Sequence, residues 1–195
     1  YVDGDSVVAA EGSWRETIHL RDVPITRNGK IGFQVENVMA SVAAAWGAGL
    51  PWQTIRRGLS GFVNDSDNAP GRFNLMDFKG ATVIADYGHN PDAMRALVAA
   101  VDALPGNRRS VVISGAGDRR DDDIRQQTEI LGTAFDDVIL YQDACQRGRE
   151  DGEAISSSLV VSMVRGAEIL PVAAKAAITK ASMTSPDFIS ATPGP

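Results

Sequence analysis

For its larger part, residues 72–181, this sequence predicts an α/β fold: a mostly parallel sheet with helices on both faces. Three observations predict it. Short apolar runs at 81–86, 110–114 and 138–141 have strand length and are rich in Val and Ile. The first two are each followed by a stretch whose apolar residues recur at helical spacing. The first run ends on Asp86, crosses Tyr-Gly-His, and meets Asn90-Pro91. That pair opens a helix, because Asn satisfies orphan N–H groups and Pro at the first helical position has no N–H to leave unpaired. Strands joined by right-handed helical crossovers form a parallel sheet covered on both faces.

In chain order, residues 6–10 and 14–20 read as β-prone runs separated by Glu11-Gly12-Ser13, and Arg27-Asn28-Gly29-Lys30 as a loop. A helix is predicted over 36–48, with Val38, Val42, Ala45 and Trp46 on one face. Gly47 and Gly49 end it, and Pro51 starts another helix to about residue 59. This part has no sheet expected to be large enough to close its own core, so it reads as the tail of an upstream domain. Residues 61–71, rich in Asn, Asp and Ser, read as a linker. Next come the strand at 81–86 and a helix at 91–104 presenting Met94, Leu97, Val98 and Val101. The nearly all-apolar strand at 110–114 is expected to be a buried parallel strand. A turn at 115–117 and a helix at 122–135 follow, with Ile124, Thr128, Leu131 and Phe135 in register. The strand at 138–141, a polar loop to 152, a helix at 153–165, a strand near 167–170 and a helix at 172–181 complete the series. Residues 182–195 are Ser/Thr/Pro-rich and are expected to be an irregular tail.

The chain has 195 residues, 44% of them hydrophobic and 23% charged, which suits a packed soluble core. Its net charge of −6 has the wrong sign to attract nucleic acid or an anionic membrane. No apolar run approaches the about 18 residues of a membrane span. Cys145 is the only cysteine, which rules out an internal disulfide and fits a reducing, cytoplasmic setting. The chain does not start with Met, and it reads as a piece of something longer.

Asp86, His89 and Asn90 fall in a strand-to-helix loop, at the sheet edge where open α/β sheets bind ligands. A carboxylate there can accept from ribose hydroxyls, and an imidazole can donate to phosphate. The same residues also fit a plain strand end and a locally bonded loop. Arg72, beside a Pro-Gly turn, offers a planar fork suited to phosphate, or is a solvent-facing linker residue. Asn37 can donate and accept at once, as an adenine edge requires, or can cap a helix. The triplet Asp121-Asp122-Asp123 lies at a helix start, where negative charge is favourable without any function. Cys145 has no base paired with it in sequence. Trp14, Trp46 and Trp52 read as packing residues.

Taken together, P-G-R-F-N-L at 70–75 and D-Y-G-H-N-P at 86–91 resemble the C-terminal domain of the Mur ligase superfamily, ATP-dependent enzymes that form amide bonds. V-E-N-V-M-A-S-V-A-A-A at 35–45 resembles that family's adenine-reading helix, and G-D-R at 117–119 a motif of its muropeptide ligases. R-G-R-x-x-G-E at 147–153, after Asp143, resembles the cyanophycin synthetases, a branch of the superfamily. The resemblance implies a Rossmann-like lid domain over 72–181. Before it come a linker at 63–71 and, over 1–62, the incomplete end of a central ATPase domain. It implies that Arg72, Asp86 and His89 are catalytic and that Asn37, Arg72, Asp86, His89 and Asn90 hold ATP. Asp118, Arg119, Asp143, Arg147, Arg149 and Glu153 would hold substrate. ATP with Mg²⁺ is implied, with no Mg²⁺ ligand identified. Arginine and polyaspartate (cyanophycin) are the implied substrates, and a homo-oligomer the implied full-length state. A folylpolyglutamate or muropeptide ligase would share the 86–91 motif without R-G-R-x-x-G-E. A non-catalytic nucleotide-sensing or interaction module is the rival of another class. No G-x-x-x-x-G-K-[ST] phosphate loop occurs, so this segment alone is expected to be inactive.

Overall fold

A computed structural model describes residues 1–114 and 118–141, together with the backbone of 168–170. The helices expected at 153–165 and 172–181, the 115–117 turn, the 143–153 loop and the tail lie outside the described residues. By its internal contacts the chain divides into two compact units: residues 1–87 with 96–105, and residues 88–95 with 106–195.

The first unit begins with three antiparallel strands, β1 (Val2–Asp3), β2 (Ser6–Glu11) and β3 (Trp14–His19), in that spatial order. Glu11 pairs with Trp14, so Gly12-Ser13 forms a two-residue hairpin turn. Gly12 takes φ +57°, which glycine alone adopts without a steric penalty. Two short 3₁₀ turns, Leu20–Asp22 and Pro24–Thr26, lead to α1 (Gly32–Gly47), and Pro51 then precedes α2 (Trp52–Gly61). The α1 helix starts four residues earlier than the sequence predicts. Gln34 and Val35 are buried together with Val38 and Val42, so its inward face extends nearer the loop.

The amino-terminal part does close a core, contrary to expectation. Val7, Ala9, Ile18, Leu20 and Val23 from the strands and turns meet Val35, Val38 and Val42 of α1 and Ile55 of α2. A three-stranded sheet suffices because two helices cover its apolar face. Trp46 and Trp52 pack on this core, and Trp14 lies 5.1 and 5.6 Å from their rings, which matches the packing expectation. Thr26 is fully buried beneath the 3₁₀ turns. Its Oγ1 lies 2.9 Å from the carbonyl oxygens of both Leu20 and Val23, which share its one proton, and it accepts the Gly29 N–H at 3.1 Å.

Still in this unit, β4 (Asn74–Phe78) and β5 (Ala81–Ala85) form an antiparallel hairpin. The sequence reading found β5 but missed β4 and expected β5 in a parallel sheet. The turn between them explains the outcome. Lys79 and Gly80 take φ +53° and +82°, the two left-handed positions of a type I′ turn, and that turn returns the chain antiparallel. The far end of α3 (Pro91–Asp102) belongs to this unit, where Ile31, Phe73 and Ala100 form a second buried cluster ringed by Phe33, Leu75, Ile84, Leu97 and Leu104.

In the second unit β6 (Ser110–Ile113), β7 (Asp137–Tyr141) and β8 (Glu168–Leu170) run parallel, in that order, and α4 (Asp121–Ala134) crosses from β6 to β7 and packs on β7. Ile124, Thr128 and Leu131 of α4 are buried, as their spacing predicts. The β6 strand corrects an expectation: it is not buried throughout, and Val112 is 40% exposed. Among the described strands of this unit β6 has one neighbour, β7. Among the described residues no helix is long and apolar enough to cross a membrane.

The starts of β6 and β7 are fastened by charge. Arg108 forks onto the Asp137 carboxylate at 2.8 and 2.9 Å, Ser110 Oγ donates to it at 2.7 Å, and the Arg109 N–H donates to Asp136. The Arg108 fork, and then the Ser110 hydroxyl, hold the Asp137 carboxyl below the usual carboxylate range.

Two measurements check this account. Replacing Thr26 by isosteric Val orphans the Gly29 N–H in a buried site and should cost about 1–3 kcal/mol of unfolding free energy in a urea titration. Asp137 is depressed when folded, so its contribution is present above the unfolded carboxyl's pKa of about 3.9 and fades as pH falls through the lower folded value. Asp137→Asn should therefore lower the thermal midpoint near neutrality and show a shallower decline than wild type below about pH 4.

Candidate functional site

The site is built where the β4–β5 hairpin meets the P-G-R turn. Gly71 at φ +68° and Phe73 at φ +55° flank Arg72 with left-handed backbone. For phenylalanine that conformation costs on the order of 1 kcal/mol. Burial of its ring offsets the cost: Phe73 is 3% exposed and meets Phe33 edge-on, ring centroids 5.2 Å apart. Arg72, immediately before that anchor, stays exposed. On the partner strand β5 ends at Ala85, opposite Asn74, and the exposed Asp86 follows directly. The Tyr87 N–H donates to the Gly71 carbonyl at 2.8 Å, which ties the strand exit to the turn. Arg72 and Asp86 are thereby brought to one end of one hairpin, both open to solvent.

The turn has its own internal scaffold. Asp65 Oδ1 accepts the N–H groups of Asn68 and Asp67 and the Asn68 side-chain amide. Those bonds, that of Asn68 first, hold its carboxyl below the usual range. Asn74, 2% exposed, accepts from the Gly71 N–H at 2.7 Å and donates to the Ala69 carbonyl at 2.9 Å. Asn64 Nδ2 donates to the carbonyls of Arg72 and Phe73 at 2.9 and 3.2 Å. The sequence reading missed Asn64 and Asn74. The available signal was a polar residue two positions past Arg72, just before the apolar pair Leu75-Met76.

In the second unit His89 is half-buried, and Asn90 Oδ1 accepts the Ala93 N–H at 2.8 Å as the cap of α3. The predicted cap is thus present, and it engages the carboxamide oxygen of a residue that the resemblance also assigns to ATP. Arg119 Nε lies 3.9 Å from Asp118 Oδ1 at the approach to α4. Two members of the acidic triplet behind them are partnered by arginines: Arg120 forks onto Asp123 and Arg125 reaches Asp122 at 2.7 Å. In the first unit Asn37 sits on the exposed side of α1, its amide donating to Gln34 Oε1 at 3.0 Å. Asp143, Arg147, Arg149 and Glu153 lie outside the described residues.

An exposed guanidinium beside an exposed carboxylate suits a nucleotide, with donors for phosphate and acceptors for ribose hydroxyls. Among the described residues no group of three His, Cys, Asp or Glu is placed to hold a metal ion, so these residues offer no Mg²⁺ cage of their own.

Residues 71–191 match the family model described as Mur ligase, glutamate ligase domain. The chain is 36% identical over 146 residues to a cyanophycin synthetase of Synechocystis, covering 73% of this chain and 16% of the relative. It is 31% identical over 110 residues to a UDP-N-acetylmuramoyl-L-alanyl-D-glutamate–2,6-diaminopimelate ligase of Geobacillus kaustophilus, covering 56% of this chain and 22% of the relative. Among solved structures it resembles folylpolyglutamate synthase of Thermotoga maritima, with a TM-score of 0.55, 22% identity, and coverage of 79% of this chain and 34% of that one. That likeness concerns the fold. The chain therefore spans about a sixth of the length of the cyanophycin synthetase it matches.

The cap at Asn90 yields a prediction. Asn90→Ala should lower the unfolding free energy by about 1 kcal/mol and speed hydrogen exchange at the Ala93 amide, while Asn90→Asp should keep both near wild type.

Proposed function

The chain belongs to the Mur ligase family, and from that premise we propose that it is the nucleotide-covering end of an ATP-dependent ligase that joins arginine to side-chain carboxylates of a polyaspartate chain. Residues 1–62 are read as the end of a central domain, 63–71 as the hinge and 72–181 as the lid. Likeness to the cyanophycin synthetases over 73% of the chain supports the substrate class. The observation that carries the site is that Arg72 and Asp86 lie at the same end of the β4–β5 hairpin.

In this reading Arg72 grips the transferring phosphate and Asp86 accepts from a nucleotide hydroxyl or an ordered water. His89 donates to a phosphate oxygen, and Asn37 reads the adenine edge. A side-chain carboxylate oxygen attacks the γ-phosphorus and ADP leaves. The arginine α-amine then attacks the acyl carbon, a C–N bond forms, phosphate departs, and the amine loses a proton. Mg²⁺, if carried in with the nucleotide, would supply neutralisation of phosphate charge, with no described residue assigned to hold it. Closing the lid excludes water, which would otherwise hydrolyse the acyl phosphate. Asp118, Arg119, Asp143, Arg147, Arg149 and Glu153 are read as the amino-acid grip, since a carboxylate pairs bidentately with a guanidinium.

The likeness to a diaminopimelate-adding ligase keeps a muropeptide substrate as the second reading. ADP release by the full-length polypeptide, given a polyaspartate or muropeptide acceptor and one amino acid at a time, separates them. Arginine should drive release. Release with diaminopimelate or glutamate instead would move the assignment to another ligase of the family, and release with none would favour a non-catalytic module.

A further inference from the structure

We infer that Asn74, assisted by Asn64, is a positioning residue for Arg72, an inference that rests on the reading of Arg72 as a phosphate-binding group. Asn74 is a primary amide at 2% exposure in a strand that an apolar side chain would continue equally well. Burying an amide is costly unless its atoms are paired, so its bonds define what it does there. Oδ1 must face the Gly71 N–H, which can only donate, and Nδ2 must face the Ala69 carbonyl, which can only accept. Both partners lie on the chain just before Arg72.

Asn64 completes the arrangement from the other side, donating to the carbonyls of Arg72 and Phe73. The Arg72 N–H meets the Ala69 carbonyl at 3.3 Å, and the Gly71 carbonyl accepts from Tyr87. The backbone of residues 71–73 is therefore bonded at Gly71 N, Gly71 O, Arg72 N, Arg72 O and Phe73 O. Left-handed residues stand on both sides of Arg72, a conformation the chain does not hold unaided. The consequence is local rigidity under a long, exposed side chain. The stem of Arg72 leaves a fixed backbone, so fewer of its orientations need to be lost when it meets a phosphate. Asn74 touches no reacting atom in this scheme and acts through Arg72.

A double-mutant cycle in the full-length polypeptide tests this, using wild type, Arg72→Ala, Asn74→Ala and the double variant. ADP release is followed with whichever amino acid drives turnover, and the thermal midpoint is recorded for each protein. Asn74→Ala should lower kcat by roughly 10- to 100-fold with the KM for the amino acid unchanged. The double variant should be no slower than Arg72→Ala alone, because the clip has no other catalytic target. Asn64→Ala, at a partly buried site, should show the same non-additivity with a smaller loss and decides the matter if Asn74→Ala does not fold. Losses that multiply in the double variant overturn the positioning role and leave the phosphate reading standing. Wild-type kcat for Arg72→Ala overturns the phosphate reading and this inference with it.

Discussion

The register of one small hairpin governs what the candidate site can be. Asn74 opposite Ala85 sets where β4 begins and where β5 ends, and the residues just outside that pair are the ones with chemistry. On one side lies the P-G-R turn, on the other the Asp86 exit, and the bond from the Tyr87 N–H to the Gly71 carbonyl joins them. A slip of one residue would turn every side chain of the strand to the opposite face. It would turn Asn74 away from the Gly71 N–H and the Ala69 carbonyl that it bonds. The hydrophobic cluster of Ile31, Phe73 and Ala100 is what holds a cation in water at the right end of the hairpin.

Charge in the molecule divides by position. At the start of β6 and β7 the guanidinium of Arg108 and the carboxylate of Asp137 satisfy each other, with Ser110 completing the set. In α/β sheets ligands gather at the carboxyl ends of strands, so this pairing lies at the end that serves register. Along the first turn of α4, Asp123 and Asp122 are likewise answered by Arg120 and Arg125. Asp118 and Arg119 follow the carboxyl end of β6, whereas Asp86 and His89 follow β5 of the antiparallel hairpin.

The family relationship and the local physics support one another at different scales. The matched region begins at residue 71, one residue before Arg72. Residues before it are not idle chain, since they close a core of their own around Val7, Val35 and Val38. The P-G-R turn is held both by the sequence that precedes it, through Asn64, and by the strand that follows, through Asn74.

By itself the sequence determined the order of most elements, the family, the cap at Asn90 and the inward residues of α4. Each of these depends on neighbours within a few positions, where helical period, strand run and capping chemistry act directly. It also marked Arg72 and Asp86 as residues of interest. The tertiary structure decided what those signals could not carry. That β5 pairs antiparallel with β4 follows from left-handed Lys79 and Gly80, a turn whose direction the apolar run at 81–85 does not encode. That 1–62 closes a core follows from two helices converging on a small sheet. That Asn64 and Asn74 clamp one arginine's backbone follows from a fold-back spanning ten residues, which no periodicity reports, because a buried amide reveals its purpose only through the partners that folding brings to it.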